Sequence, residues 1–345
     1  SFTSSLGDDL ARRDFTINAI CYHPEKGSID LFGGIEDINN NIIRAVGVPA
    51  ARFQEDALRM LRAVRFSAQL GFDIHKDTLT AICENKRLIC NISAERIRDE
   101  LTKIITSEHP EKFVLLKETG LLQYIMPEFD ACFNTVQNHP YHIYNVAVHS
   151  LAAVSNIEKN KCLRWTMLLH DLGKTVTRST DRKGIDHFYG HPAHSVKQAE
   201  TILKRLRFDN STAYDIKRLI KYHDLNIEAS GKAVRKAVRL VGEDIFLDLL
   251  KVMAADKKAQ NPNYLDERLV RLSRIEKIYH DIKAQQQCLS LKELAVNGND
   301  LISTGVDPGR KVGIILEKLL DAVTDDPALN ERSTLLAMAE KLRKS

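Results

Sequence analysis

Apolar positions recur at two periods along the chain, and the change from one to the other comes early. Residues 17–23 (INAICYH), 28–32 (SIDLF) and 42–46 (IIRAV) are short apolar stretches that read as strands. Residues 24–27 form a turn between the first two, and Gly33-Gly34 follows the second. From about Val48 the spacing becomes three and four and stays so. Over 53–70, Phe53, Ala57, Leu61, Val64 and Ala68 form one stripe, and Leu58, Met60 and Phe66 widen it. Gly71 stands where a left-handed cap ends a helix. One continuous, mostly enclosed helix is therefore predicted over 53–70. Arg52, Asp56, Arg59 and Arg62 line a second face of it. Charged groups on an enclosed helix need partners, from each other or from a ligand.

Helical spacing continues over 76–90, 93–106, 110–119 and 121–126. In the second of these Ser93 is placed as N-cap, with Arg96 and Glu100 on the polar face. Further helices are predicted over 142–156, 162–172, 192–207, 211–223, 231–241 and 244–259. A long charged helix follows over 264–287, then shorter ones over 290–295, 308–324 and 330–344. The fold class is mainly α with a short β part at the start, divided near 47, 131 and 262.

Composition narrows this little. The 345 residues exceed one ordinary core. No apolar run approaches the roughly 18 residues of a membrane span, and the opening is polar, unlike a secretory signal. Six scattered cysteines without a CxxC pair favour reduced thiols in a cytoplasmic protein over a disulfide frame or structural zinc. A net charge of +4 permits a nucleic-acid partner without arguing for one.

The charged motifs say more. RRDFTINAI, IDLFGGIEDI and RFQEDALRMLRAVRFSAQLGF, at their spacing here, resemble the class II transfer-RNA nucleotidyltransferases and bacterial poly(A) polymerases. An aspartate accepts hydrogen bonds and an arginine only donates them. Side by side they match an edge with an amino donor beside a ring-nitrogen acceptor, as in cytosine and adenine. Guanine and uracil reverse that edge, at a cost of about 1–3 kcal/mol. The resemblance implies that Asp56 and Arg59 read the base. It further implies that Arg13, Asp14 and Asn18 hold sugar and phosphates, with Arg62 and Arg65 one and two turns on in the same nucleotide site. An isolated EDxxR would be an ordinary intrahelical ion pair; RRDFTIN nearby decides otherwise.

In that family nucleotidyl transfer uses Asp-x-Asp carboxylates after a glycine-rich turn, and the sequence contains no such motif; Asp8-Asp9 is not one. The expectation is a truncated chain with no catalytic residue for nucleotidyl transfer of its own, which does not add nucleotides alone. The intact enzyme would use Mg²⁺, ATP and CTP.

A second constellation is His170-Asp171-Leu172-Gly173-Lys174, with His149 upstream and His191, His223 and Asp256 downstream. This order resembles the HD phosphohydrolase superfamily, an all-helical fold. Imidazoles and carboxylates suit divalent Mn, Ni, Fe or Mg. The resemblance implies His149, His170, Asp171 and Asp256 as metal ligands. His191 and His223 would complete a second metal or bind phosphate, and Lys174 would neutralise a phosphate oxygen. His170, Asp171 and Lys174 would carry any phosphate-ester hydrolysis. His142 and His187 are read instead as ordinary hydrogen-bonding histidines.

The stretch LAVNGNDLISTGVDPGRKVG resembles the tail of the same nucleotidyltransferases. Lys232, Arg235, Lys236 and Arg239 form a basic face; such a face is more often merely solvated, but its position in a transfer-RNA-binding body raises the reading that it meets RNA phosphates. The resemblance implies four segments: a remnant of a nucleotidyltransferase head (1–47), a helical neck binding base and RNA (48–130), an HD domain (131–262) and a helical tail binding transfer RNA (263–345). The function implied is addition or repair of the 3′-terminal CCA of transfer RNA from CTP and ATP. The alternatives are a metal-dependent HD phosphohydrolase or phosphodiesterase acting on nucleotides or RNA ends, and a non-catalytic RNA-binding remnant.

Overall fold

The computed structural model describes residues 5–344 and is dominated by helices, with three two-stranded pairings. Contacts divide the chain into two units: residues through His223 with Ala255–Leu265, and Asp224–Ala254 with the chain from Asp266 onward. Residues 224–254, grouped with the HD segment in the sequence reading, thus share a unit with the tail.

The first unit opens with the Leu6–Ala11 helix and an antiparallel hairpin, Ile20–His23 against Gly27–Asp30. The strands are shorter than predicted. Residues Thr16–Asn18 form a 3-10 turn instead, because side chains there capture backbone groups: Asp14 accepts from the Phe15 N–H at 3.0 Å. Thr16 donates its hydroxyl to Asp37 at 2.6 Å. Asp30 ends the hairpin and starts the Gly34–Asn39 helix. Its carboxylate accepts from the N–H groups of Phe32, Gly34 and Ile35 at 3.2, 2.9 and 2.8 Å. Gly34 is required here, since a Cβ would lie 2.2 Å from the Thr16 carbonyl oxygen. Ile42–Ile43 pairs in parallel with Asp73–Ile74, and beyond it Ala45 makes a single antiparallel bridge to Phe15, so the predicted 42–46 strand is split between two short partners.

The predicted single helix over 53–70 is two, Pro49–Glu55 and Leu58–Leu70. Asp56 breaks it with extended backbone (φ −149°, ψ 103°), and its side chain accepts from the Leu58 N–H at 3.0 Å. Aspartate competes for backbone donors in this way and so favours helix ends over interiors. The apolar stripe continues across the break: Phe53, Met60, Leu61, Ala63, Val64 and Ala68 are fully buried. Gly71 is the left-handed cap, at φ 73°. The Leu58–Leu70 helix packs along Ala94–Ile105. Ser93 precedes that helix in N-cap position, but its hydroxyl makes no cap bond.

Helices Val146–Ser155, Lys161–Leu169, His191–Arg205 and Asn210–Tyr222 form the rest of this unit's core around buried Trp165. Asn145, Asn160 and Asp209 cap three of them through their side chains. The Glu243–Lys258 helix begins in the second unit, and its last residues belong to the first. The second unit is otherwise built from Gly231–Val241, Leu265–Ala284, Arg310–Asp325 and Arg332–Lys344, with a core that includes Leu301, Leu319, Val323 and Leu335. No helix among the described residues is long and apolar enough to cross a membrane.

Candidate functional site

The break at Asp56 places the base-reading candidates at the junction of two helices. Arg59, in the first turn of Leu58–Leu70, donates to the Arg12 carbonyl at 2.8 Å and to Glu55 at 2.7 Å. Arg52 donates to the Ala11 carbonyl at 3.0 Å. The two arginines thereby tie the helix junction to the segment that leads into RRDFTIN. Asp14 is buried; it accepts from Asn18 Nδ2 at 3.1 Å and from Arg62 Nε at 2.7 Å. Arg13 is exposed and pairs with Asp9 at 3.0 Å. Asp14, Asn18, Arg59 and Arg62 are thus joined to this junction or to the turn beside it, whereas the Arg13 guanidinium is joined to Asp9 of the Leu6–Ala11 helix. Asp56 does not pair with Arg59. Its Oδ2 accepts from Arg96 Nη2 at 2.8 Å. Arg65 is buried, faces Glu100 at 3.2 Å and lies 4.1 Å from the Phe66 ring centroid, so its guanidinium is committed to packing the two helices.

The second constellation is gathered at one buried point. His149 comes from Val146–Ser155, His170 and Asp171 from the end of Lys161–Leu169, and His191 from the start of its helix. His223 caps Asn210–Tyr222, and Asp256 comes from Glu243–Lys258. The ligand atoms of His149, His170 and Asp171 lie within 4.8 Å of one another, as do those of Asp171, His191 and His223. Asp171 stands between the two groups. Its Oδ2 is 3.4 Å from His149 Nε2 and 3.3 Å from His170 Nε2; its Oδ1 is 3.3 Å from His191 Nε2 and 3.6 Å from His223 Nε2. Asp256 Oδ1 is 3.0 Å from His149 Nε2 and 3.6 Å from His170 Nε2.

Backbone carbonyls set the tautomers. His170, His191 and His223 each meet a carbonyl three residues back through Nδ1, at 2.7, 2.9 and 2.7 Å. His149 Nδ1 meets the Ala259 carbonyl at 3.3 Å. A carbonyl only accepts, so Nδ1 carries the proton and a neutral ring turns its Nε2 lone pair inward. Inward-facing lone pairs and two carboxylates at these distances repel unless a proton or a cation lies among them. His170 Nε2 and Asp171 Oδ1 are buried without a hydrogen-bond partner, while Asp171 Oδ2 faces the Lys174 ammonium. Burial opposes charge on His170, yet Asp171 and Asp256 raise its pKa to about 9. Burial likewise opposes ionisation of Asp171, but His170 and Lys174 hold its carboxyl well below the usual range. Lys174 Nζ is 2.7 Å from Asp171 Oδ2 and donates to Gln137 at 2.8 Å. His142 packs edge-on to His149, at 5.4 Å between centroids, and burial with Lys174 and His149 lowers its pKa to about 3. His187 pairs with Asp181 at 3.1 Å.

Three residues at these sites escaped the motif reading. Gln137 holds Lys174, and Gln260 donates to both oxygens of Asp256 at 3.2 and 3.1 Å. Neither has a sequence signal, because an amide's partner depends on tertiary approach. Arg96 was placed on a polar helix face, and only its one-turn spacing from Glu100 hinted at a role.

The basic face of Gly231–Val241 is not free. Lys232 and Lys236 pair with Asp325 at 3.1 and 2.9 Å, and Arg239 pairs with Glu317 and Asp321. Buried Arg235 donates to the Thr324 carbonyl at 2.8 Å. This face binds the Arg310–Asp325 helix, which corrects both readings of it, as a solvated face and as an RNA-facing one.

Comparisons with known proteins bear on the whole chain. Residues 1–44 match the family model described as the poly(A) polymerase head domain. Residues 71–133 match a probable RNA and SrmB-binding site of polymerase A, and residues 185–339 a putative second domain of tRNA nucleotidyltransferases. The CCA-adding enzyme of Levilactobacillus brevis is 32% identical over 341 residues, covering 98% of this chain and 73% of that protein. The chain belongs to the CCA-adding enzyme family. That of Ligilactobacillus salivarius is also 32% identical, over 346 residues, covering 99% and 73%. Among solved structures, the Bacillus stearothermophilus CCA-adding enzyme in complex with CTP superposes with a TM-score of 0.72 at 28% identity, covering 100% of this chain and 76% of that one. The Thermotoga maritima CCA-adding enzyme complexed with tRNA_CCA shares the fold at 20% identity and a TM-score of 0.58, covering 98% and 74%.

Proposed function

We propose that this member of the CCA-adding enzyme family acts in adding or repairing the 3′-terminal CCA of transfer RNA, taking CTP and ATP as nucleotides. The observation that carries the base-reading part is the helix break, which sets the Asp56 carboxylate and the Arg59 guanidinium at one junction. Asp56 accepts from the amino group of cytosine or adenine, and Arg59 donates to the neighbouring ring nitrogen. Arg13, Asp14 and Asn18 take sugar and phosphates, and Arg62 fixes Asp14. Arg65, paired with Glu100, supports the helix under them. Mg²⁺ is the cation proposed for the transfer step. Among the described residues the groupings with metal-ligand spacing are those of the HD centre, so no step of transfer is assigned to a metal held by the base reader. The test is equilibrium dialysis of the full chain against each nucleotide. Asp56→Ala and Arg59→Ala are each expected to weaken CTP and ATP by about ten-fold or more while UTP and GTP change little. Equal loss for all four would refute the assignment.

A second reading is supported by the orphaned atoms of the HD centre. His149, His170, Asp256 and Asp171 Oδ2 would hold one divalent cation, and His191, His223 and Asp171 Oδ1 a second. When bound, such a cation polarises a phosphate ester, on a nucleotide or an RNA end. Lys174, beside Asp171, takes a phosphate oxygen. Elemental analysis after dialysis against Mn²⁺ is expected to find bound metal, and none in Asp171→Ala. A metal-free unmodified chain refutes this reading.

A further inference from the structure

A row of rings runs from the HD centre out to the surface. His142 packs on His149 at 5.4 Å between centroids, His139 on His142 at 6.0 Å and His187 on His139 at 6.5 Å. Tyr189 ends the row, its ring parallel to that of His187 within 5° and 5.4 Å from it. Tyr141 branches off at His139, 5.0 Å away, and meets Tyr264 at 4.8 Å. All of these rings belong to the first unit. A single exposed aromatic needs no explanation. A connected row that ends on a metal-ligand candidate does.

Local structure fixes the outer rings. Ser179–Thr180 and Asp186–His187 pair as an antiparallel hairpin. Buried Asp186 clamps that hairpin to the segment before His139, because its Oδ2 accepts from the Asn138 N–H at 2.8 Å. Asn138 Nδ2 donates in turn to the Gly184 carbonyl at 2.6 Å. His187 Nε2 meets Asp181 at 3.1 Å, which holds the ring that Tyr189 stacks on. Phe188, between them in sequence, faces the centre: its ring is 5.3 Å from Lys174 Nζ, and its carbonyl accepts from His191 Nδ1 at 2.9 Å. Tyr189 precedes His191 by two residues, so their backbones lie within about 7 Å of each other. Tyr189 is 77% exposed, which leaves the face turned from His187 open. Further in along the row, His142 Nδ1 is buried without a hydrogen-bond partner.

An open ring face held in one place is a surface for stacking, and every nucleobase offers a face to it. A sugar hydroxyl would satisfy His142 Nδ1. The Lys174 ammonium, beside Asp171, supplies charge for a phosphate. A bare phosphate ester would need only the last of these. We propose that the HD centre takes a nucleoside phosphate, its base stacked on the open face of Tyr189 and its phosphate directed to Lys174 and the metal-ligand candidates. This rests on the metal-binding reading of the centre given above. Stacking needs only a π-face, so the choice made here is between nucleoside and other phosphate esters, not among bases.

The test is equilibrium dialysis of the full chain in Mn²⁺ against UMP and ribose 5-phosphate, with elemental analysis alongside. The two ligands share sugar and phosphate, and uracil is a base that the proposed Asp56–Arg59 reader refuses, so any advantage of UMP reports stacking elsewhere. UMP is expected to bind about ten-fold more tightly than ribose 5-phosphate. Tyr189→Ala is expected to erase that advantage while leaving ribose 5-phosphate and the melting temperature unchanged, and Tyr189→Phe, which keeps the ring, to retain it. Asp171→Ala is expected to weaken both ligands. Equal affinities in the unmodified chain, or an advantage that survives in Tyr189→Ala, overturn the proposal and leave the metal reading standing where manganese is bound. A chain free of manganese, or UMP binding unmoved by Asp171→Ala, removes the metal reading and the proposal with it. Tetrauridylate separates the two sources of a nucleoside phosphate. Affinity above that of UMP supports an RNA end, and affinity equal or lower supports a free nucleotide; both keep the stacked base.

Discussion

Asp30 and Asp56 both stop a chain direction by accepting backbone N–H groups, and they differ in what else they meet. Asp30 gives its oxygens to Phe32, Gly34 and Ile35. Burial opposes its charge, but these backbone donors outweigh it and hold the carboxyl below its ordinary value. Asp30→Ala should therefore cost about 1–2 kcal/mol at pH 7, as loss of a capping carboxylate does. A carboxyl lowered in the folded state adds stability above its unfolded pKa of about 3.9, and that stability is lost as pH falls through the folded value. The gap between the two proteins in urea should be open at pH 7 and narrow in acid, as pH falls through the lowered folded value. A gap that persists in acid would mean packing, not the carboxylate, carries the effect. At this scale the residue types were legible and their partners were not. EDxxR read as a side-by-side pair, but Asp56 found Arg96, 40 positions away, and Arg59 found the Arg12 carbonyl, 47 away. No local spacing encodes those meetings.

Helices were legible where burial alone decides them. The stripe from Phe53 to Ala68 is buried as predicted, and the end at Gly71 follows from a left-handed position that glycine fills. The break at Asp56 was not visible because the apolar period runs straight through it; a two-residue bend leaves Phe53 and Leu61 on the same side. Charge patterns misled more than apolar ones. A basic helix face looks the same whether water, RNA or another helix covers it, and over Gly231–Val241 the carboxylates of Arg310–Asp325 do. Lys232→Gln with Lys236→Gln should thus change the salt slope of transfer-RNA binding by less than the roughly 1.8 expected for two freed phosphate contacts. A full change would restore the open-face reading. The buried Arg65–Glu100 pair between helices permits a sharper test. Glu100→Gln leaves the Arg65 guanidinium buried without its counter-charge and should cost about 3–5 kcal/mol. Arg65→Met with Glu100→Met should recover much of that in urea unfolding, since an apolar pair of similar volume removes both charges. No recovery would mean that the pair itself, and not the stranded charge, sets the stability.

At the scale of the molecule, the HD centre ties distant parts of the sequence together. His149 and Asp256 are 107 positions apart, and they meet at 3.0 Å in the first unit because the Glu243–Lys258 helix returns to it after the chain has built part of the second. The order of ligands was legible because each stands at or near a helix end, where histidines and acids are conspicuous against apolar neighbours. That Asp171 faces both groups was not, since it depends on how five helices converge. This arrangement makes the first unit's stability respond to cations. A ligand held by the folded unit and not by the unfolded chain stabilises it by about 2.7 kcal/mol at one hundred times its dissociation constant. For a unit of this size each kcal/mol raises the melting temperature by about 2–4 °C. Saturating Mn²⁺ should therefore raise the unfolding transition of the full chain by several degrees, and chelation should reverse the shift. Asp171→Ala should abolish the shift entirely, because it removes a donor from both groups at once. His191→Ala should leave part of it, because His149, His170, Asp171 and Asp256 remain. If His191→Ala removes as much as Asp171→Ala, the centre works as one undivided site. If Mn²⁺ shifts nothing, the inward nitrogens and carboxylates share protons in place of a cation.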